Sequence, residues 1–325
     1  AKDLAEYTVV QREPVEGNYR GAKVVSMPPP SSGGVHLIQM LNVLQNFPVK
    51  DFGHNSANSI HLMTEAMRFA YADRSKYLGD PDFVDVPVEQ LISKTYAARL
   101  AKRINQLAAA SSDNVGPGLE VQLPPESNET THFSVIDKDG NAVSNTYTLN
   151  FSYGSRLMVP GTGILLNNEM DDFSSKPGSP NGFGLIGGVA NQIEPGKRPL
   201  SSMTPLILRK DGKPVLVTGS PGGSTIITAV LQMVLNVAAF DMNVAQATNM
   251  PRMHHQWLPD IVITEPGISK DTLKILESRG FILPKNETGD FAHMVLGRVN
   301  SVAYKNGVFY GAADPRGPKS AASGF

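Results

Sequence analysis

The chain has 325 residues, a mass of 34.9 kDa, 18% charged residues and a formal net charge of -1. That balance gives no electrostatic footing for nucleic acid or an anionic membrane surface, while a hydrophobic share of 41% suits a folded chain. There is no cysteine, which excludes disulfides, thiolate metal sites and a cysteine nucleophile. No apolar run reaches the roughly 18–20 residues of a membrane-spanning helix.

The opening AKDLAEYTVV lacks the apolar segment of a signal peptide. It reads as the tail of a helix and a strand entered in mid-fold, so a cut or processed N-terminus is expected. Residues 19–27 alternate as a strand does, and Pro28-Pro29-Pro30-Ser31-Ser32-Gly33-Gly34 ends it. A helix is expected over residues 35–44. A glycine-rich loop before a helix can bind anions, but this one lacks the lysine of a P-loop and reads as a rigid loop. Residues 56–77 carry the longest apolar stripe at helical spacing, closed by Gly79-Asp80-Pro81. Two shorter helices are expected within 87–106. Residues 108–128 lose all periodicity and read as a surface linker.

That linker runs into a predicted hairpin. Strands are expected over 130–136 and 142–149, joined by Lys138-Asp139-Gly140 with Gly140 left-handed. In this register Asp137 faces Asn141, and Thr130 lies opposite Thr148, with Asn150 just beyond. Phe133, Val135, Val143, Tyr147 and Leu149 share one face. Thr130, His132, Ser134, Ser144, Thr146, Thr148 and Asn150 share the other, which from the hairpin alone reads as a solvated face.

Further on, 161–166 reads as a short strand, 167–173 as a polar knot and 174–188 as a long loop of lid type. Strands over 204–209 and 214–218 lead to Gly219-Ser220-Pro221-Gly222-Gly223-Ser224, which opens an apolar helix over 225–237. Helices over 243–249 and 271–280 follow. Closing strands are expected over 294–299 and 301–310, with a turn at Lys305-Asn306-Gly307. Hairpin connections and interleaved helices imply a layered α/β domain of α+β type with mainly antiparallel sheets.

A threonine hydroxyl needs a base to act as a nucleophile. The hairpin offers His132, or Thr130's own α-amino group if the preceding bond is cut; that amine has a reference pKa of roughly 7.7–8.0. Glu169, Asp171 and Asp172 lack the ligand spacing of a Ca²⁺ loop; a solvated turn and a set of acceptors for an ammonium group fit them equally well. Ser201 and Ser202 suit a carboxylate. Gly222 and Gly223, at a helix entrance, can offer backbone N–H groups to an oxyanion. Adjacent His254 and His255 rarely face one site, so packing or surface roles are expected rather than a metal.

The runs MPPPSSGGVH, YADRSKYLGDPDF, ESNETTHFSV, TYTLN, GILLNNEMDDF, KRPLSSM and GSPGGS occur in one order along nearly the whole chain. In these the chain resembles bacterial γ-glutamyltranspeptidases (glutathione hydrolases), members of the N-terminal-nucleophile hydrolases. The resemblance implies a four-layer αββα sandwich, with the N-terminal part of the family fold upstream of this chain. That upstream part includes an arginine that grips the substrate's α-carboxylate. It implies a precursor that cuts itself before Thr130, leaving 1–129 as the end of a large-subunit region and 130–325 as the small catalytic subunit, together one domain. Thr130 would be the nucleophile, and Thr148 would hydrogen-bond it. Asn150, Glu169 and Asp172 would hold the α-amino end of a γ-glutamyl group, Ser201 and Ser202 its α-carboxylate. Gly222 and Gly223 would form the oxyanion hole. The loop 176–188 would be the lid, with Phe183 where some members place a tyrosine. The implied activity is γ-glutamyl transfer and hydrolysis on glutathione and related compounds, with amino acids, peptides or water as acceptors. No cofactor or metal is implied, and the location is periplasmic or secreted. The alternatives are a related glutaryl or cephalosporin acylase, or an inactive fragment or binding module.

Overall fold

The computed structural model describes residues 2–115, 130–317 and 319–324. Ten strands carry the architecture: β1 (Val15–Tyr19), β2 (Ala22–Ser26), β3 (Thr130–Ile136), β4 (Ala142–Thr148), β5 (Leu206–Lys210), β6 (Lys213–Gly219), β7 (Met253–His254), β8 (Ile263–Thr264), β9 (Asn300–Lys305) and β10 (Val308–Ala312). Six of them form one sheet in the order β1-β2-β5-β6-β9-β10, and among the described residues every pairing of these strands is antiparallel. The helix Gly33–Leu44 is buried along its full length between this sheet and the helices Ala57–Tyr77 and Thr225–Ala238. Its apolar residues run all round it, as a central helix requires. Ser56 starts the long helix by accepting the Ser59 N–H at 3.1 Å.

Leu216 and Val217 are neighbours on β6, and both are fully buried. Successive strand residues point to opposite faces, so the centre of the sheet is covered on both sides. Helices cover one face. The β3–β4 hairpin covers the other. The described residues thus build an α+β sandwich with one helical and two β layers.

The hairpin has the expected register: Thr130 pairs with Thr148 and Ile136 with Ala142, around a turn in which Gly140 has φ +85°. The expectation of a solvated polar face is overturned. His132 is 4% exposed, whereas Phe133 and Tyr147 on the opposite face are 46% and 59% exposed. The polar face turns inward because it finishes the hydrogen bonding of the main sheet. Ser144 Oγ donates to Thr218 O and accepts from Leu206 N, both at 2.9 Å, and Ser134 Oγ donates to Asn300 O at 3.0 Å. Gly219 makes this approach possible, since a Cβ there would stand 2.3 Å from the His132 ring.

Other expectations shift in places. No strand precedes Val15; the first described segment is a short exposed helix, Lys2–Glu6. Residues 161–166 form no strand: Gly161 and Gly163 take positive φ, and one isolated bridge, Met158 to Leu165, remains. Residues 294–299 are not a strand either, because Gly297 at φ +67° breaks the run and the strand begins at Asn300. The turn at Asn306-Gly307 stands, between β9 and β10. Most of the expected linker, and the Glu129–Thr130 junction on its far side, lie outside the described residues. At its described start, Ala109 N–H donates to Arg279 O at 2.7 Å.

Candidate active site

Thr130 is the first residue of β3, and its Oγ donates to Thr148 Oγ across the hairpin at 3.2 Å. Thr148 Oγ also accepts the Asn150 N–H at 2.8 Å. Asn150 leaves the strand at φ +73°, a conformation asparagine tolerates better than most residues. Its Nδ2 donates to Asn168 O at 3.2 Å, while Asn168 Oδ1 accepts the Phe151 N–H at 2.9 Å. These bonds pin the polar knot to the end of β4 and bring the 3₁₀ turn Glu169–Asp172 toward Thr130.

Ser201 and Ser202 come from the other side, on a segment clamped to the proline loop. Ser32 N–H donates to Ser201 O and Ser201 N–H to Pro30 O, each at 2.9 Å. Ser201 Oγ donates to Ser31 Oγ at 2.8 Å, and Ser31 Oγ to Met203 O at 2.7 Å. The loop is therefore structural, as its missing lysine suggests. A Cβ on Gly33 would meet Thr204 Oγ1 at 2.2 Å, so the helix entrance is closed by protein.

Gly222 and Gly223 take φ +135° and +52° in the turn before the Thr225–Ala238 helix. Gly222 O accepts both the N–H and the Oγ1 of Thr225, at 2.9 and 2.7 Å. Among the described residues the amides of the two glycines donate to no protein acceptor. The Phe183 ring lies against Gly223, 2.6 Å from where a Cβ would stand. Phe183 is held by an edge-on contact with Phe151, and its carbonyl accepts from Gln256 Nε2 at 3.1 Å. Gly182 N–H donates to Asp171 Oδ2 at 2.8 Å, which ties the loop to the acidic turn.

Seven of the nine residues picked from sequence line one pocket: Thr130, Thr148, Asn150, Asp172, Ser201, Ser202 and Gly223, with Phe183, Met203 and Ile226 as its apolar wall. Gly222 adjoins Gly223 in the chain and Glu169 shares the 3₁₀ turn of Asp172, but neither is part of the lining. The cavity holds about 20 Å³, room for little more than a water. A cleft of about 490 Å³, which Thr130 also lines, runs along residues 130–134 of β3 and past Arg298 to residues 319–323. It is larger, but the convergent acid, hydroxyl and amide groups are in the small pocket.

Burial pushes the carboxyls of Glu169 and Asp172 up from the usual range. For Asp172 the charge of Glu169 adds to burial and that of Arg74 opposes it. His132 makes no hydrogen bond to Thr130. Its ring nitrogens are engaged by Thr146 Oγ1 at 2.8 Å and Ser134 Oγ at 2.9 Å, and burial holds it neutral, down to about 4. His254 and His255 are buried too, bonded to Thr228, Gln256 and Asp260, and no cluster of metal-binding side chains occurs among the described residues. The residue that sequence reasoning missed is Arg74. It is 4% exposed behind Ser202, within the quoted run YADRSKYLGDPDF.

Glu169→Gln is expected to raise the thermal midpoint at neutral pH by roughly 1–3 °C. A carboxyl whose folded-state pKa is raised contributes its full stability below the unfolded value and loses it as pH rises through the folded one. The amide therefore relieves a cost present at neutral pH and absent in acid. Melting curves at pH 7.5 and pH 4 check this; a gain of equal size at both would refute the charge account.

A sequence model of the family described as gamma-glutamyltranspeptidase matches residues 1–324. The glutathione hydrolase proenzyme of Escherichia coli K12 is 53% identical over 325 residues, all of this chain and 54% of that protein. The chain thus spans about half the length of the curated relatives it matches. A γ-glutamyltranspeptidase structure from Helicobacter pylori aligns with TM-score 0.54 and 51% identity, over 57% of this chain and 100% of that one. A cephalosporin acylase from Bacillus halodurans aligns with TM-score 0.79 and 27% identity, over 100% of this chain and 55% of that one.

Proposed function

The chain belongs to the γ-glutamyltranspeptidase family, and from that premise we propose that it carries the nucleophile and most of the donor site of a γ-glutamyl transferase and glutathione hydrolase. The observation that carries this reading is the Thr130–Thr148 hydroxyl pair at 3.2 Å, set in a pocket that also presents a carboxylate, two serines and a glycine turn.

The bond before Thr130 is cut first, freeing an α-amino group. That amine takes the proton of Thr130 Oγ as the oxygen attacks the γ-carbonyl carbon of the donor, with Thr148 orienting the hydroxyl. The N–H groups of Gly222 and Gly223 receive the oxyanion. The γ-amide bond breaks, the proton passes to the departing amine, and a γ-glutamyl ester remains on Thr130. Water or the amine of an amino acid or peptide then takes the acyl group and returns the hydroxyl. Asn150, Glu169 and Asp172 hold the donor's ammonium, while Ser201 and Ser202 hold its carboxylate. The Phe183 loop, 176–188, swings aside to admit the donor, because the pocket as it stands has no room for one.

Residues 130–325 form the small subunit and 1–129 the end of the large one. This division is supported by the Helicobacter pylori chain, which aligns in full over 57% of this sequence, where 130–325 make up 196 of 325 residues. A periplasmic or secreted location belongs to the same proposal; among the described residues no helix is long and apolar enough to cross a membrane.

The acylase-like alignment supports a second reading, hydrolysis of a glutaryl or cephalosporin side chain. The Glu169–Asp172 pair weighs against it, since an acyl group without an amine leaves buried carboxyls unmatched. The test is the full-length protein with a chromogenic γ-glutamyl anilide, alongside its glutaryl counterpart. Anilide release from the γ-glutamyl compound, with two fragments by intact mass, is the expected result. Release from the glutaryl compound alone would move the assignment to acylase, and release from neither would refute both.

A further inference from the structure

We propose that Arg74 is the positioning residue for the donor's carboxylate. It fixes the Ser202 hydroxyl with its proton directed at that anion, and it adds a positive charge behind it, beside any supplied by the upstream arginine. The inference rests on the assignment of Ser201 and Ser202 made above, and adds a group from within this chain to the site.

Arg74 lies in the last turn of the Ala57–Tyr77 helix and is 4% exposed. Its Nε donates to Ser32 Oγ at 3.0 Å, and its Nη2 reaches Ser202 Oγ and Leu200 O, both at 3.4 Å. Among the described residues no carboxylate stands within ion-pair distance of it. The acid whose charge it feels is Asp172, which lines the same pocket as Ser202. A buried guanidinium is ordinarily paired, because hydroxyls and a carbonyl do not return what it loses on leaving water. Among the described residues Arg74 has no anion in direct contact.

The hydroxyls say where that anion goes. Ser32 Oγ donates its proton to Ser201 O at 2.9 Å and so meets Arg74 as an acceptor. Ser202 Oγ likewise accepts from Arg74, which donates only. Among the described residues no protein acceptor takes the Ser202 proton, and Ser202 lines the pocket. The ligand class that satisfies both walls is an α-amino-acid head group, with its carboxylate toward Ser202 and Arg74 and its ammonium toward Asp172. A ligand carrying one of the two charges leaves a buried group without its partner.

The test uses the full-length, cleaved protein and two donors, a γ-glutamyl anilide and the 4-aminobutyryl anilide, which is the same molecule without its carboxylate. Arg74→Met is expected to raise KM for the γ-glutamyl donor at least tenfold, with kcat changed less than threefold. It should leave kcat/KM for the aminobutyryl donor within twofold. Arg74→Lys, which keeps the charge and loses the fork, should recover part of the loss. An equal fall for both donors in a folded, cleaved Met variant would assign Arg74 to structure alone and overturn the proposal. Should that variant fail to accumulate, the Lys variant decides it: a selective several-fold rise in KM supports it, and an equal effect on both donors, or none, overturns it. Ser202→Ala separates the layers. If it too leaves the preference for the carboxylate intact, the serine assignment itself fails; if it removes the preference while Arg74→Met does not, this inference alone fails.

Discussion

Thr130→Ala is expected to leave the precursor as one uncut species by intact mass and to lower γ-glutamyl anilide turnover by at least about 10⁴-fold, the scale seen when a covalent nucleophile is removed. Nothing else in the site can take its place. Thr148 Oγ accepts from both Thr130 and the Asn150 amide, and His132 is neutral with its ring nitrogens engaged. Thr130→Ser keeps an oxygen at the same ladder position and should retain part of both cutting and turnover. An alanine variant that still cuts would show that Thr130 is not the nucleophile of scission. Near-normal turnover would remove it from the mechanism altogether.

Gly223→Ala has the second large effect, through two causes that separate in the kinetics. The residue sits at φ +52°, where a Cβ costs roughly 1–2 kcal/mol. That Cβ would also press on the Phe183 ring, 2.6 Å away. Tilting the amide removes one of the two proposed oxyanion donors, so kcat should fall about 10²–10³-fold. KM should change little, because the serines and Asp172 are untouched. Gly222→Ala should lower the thermal midpoint more than Gly223→Ala does. Its φ of +135° is closed to other residues, and its Cβ would meet Thr225 Oγ1 at 2.7 Å and the Gly297 backbone at 3.0 Å. Equal losses in kcat and 1/KM for Gly223→Ala would argue against a transition-state role.

Much of this site was legible because local chemistry decided it. Lys138-Asp139-Gly140 set the hairpin register, and the register placed Thr130 opposite Thr148 before any tertiary contact was known. Which face of the hairpin turns inward was not legible. Patterning assumes that apolar residues go in, whereas here Ser134 and Ser144 go in to meet backbone groups of β5, β6 and β9. Strand β1 escaped notice because Gly17 and Asn18 weaken its signal. Gly17 is there because Ile38 packs on it, leaving 2.6 Å to a would-be Cβ. Arg74 escaped for a tertiary reason as well. Beside Asp73 and Lys76 it reads as the charged end of a helix, and it is buried only because Leu200 and Ser202 fold over it from more than a hundred residues away. The resemblance in the motifs supplied the roles of residues scattered from 130 to 223, which spacing alone left open.

The ladder that begins at Thr130 has a consequence for timing. Thr130 is located by its pairing with Thr148, and the strand behind it is seated by the bonds of Ser134 and Ser144 to the main sheet. None of those contacts runs through the peptide bond on its N-terminal side. A new chain end ordinarily frays, and ordering one for use costs roughly 1–2 kcal/mol of backbone entropy per residue. Here the pairing with Thr148 and the seating of the strand on the main sheet meet that cost. The proposed scission before Thr130 would therefore change the chemistry of the terminus without loosening it, leaving the proposed catalyst in working order as soon as the amine is free.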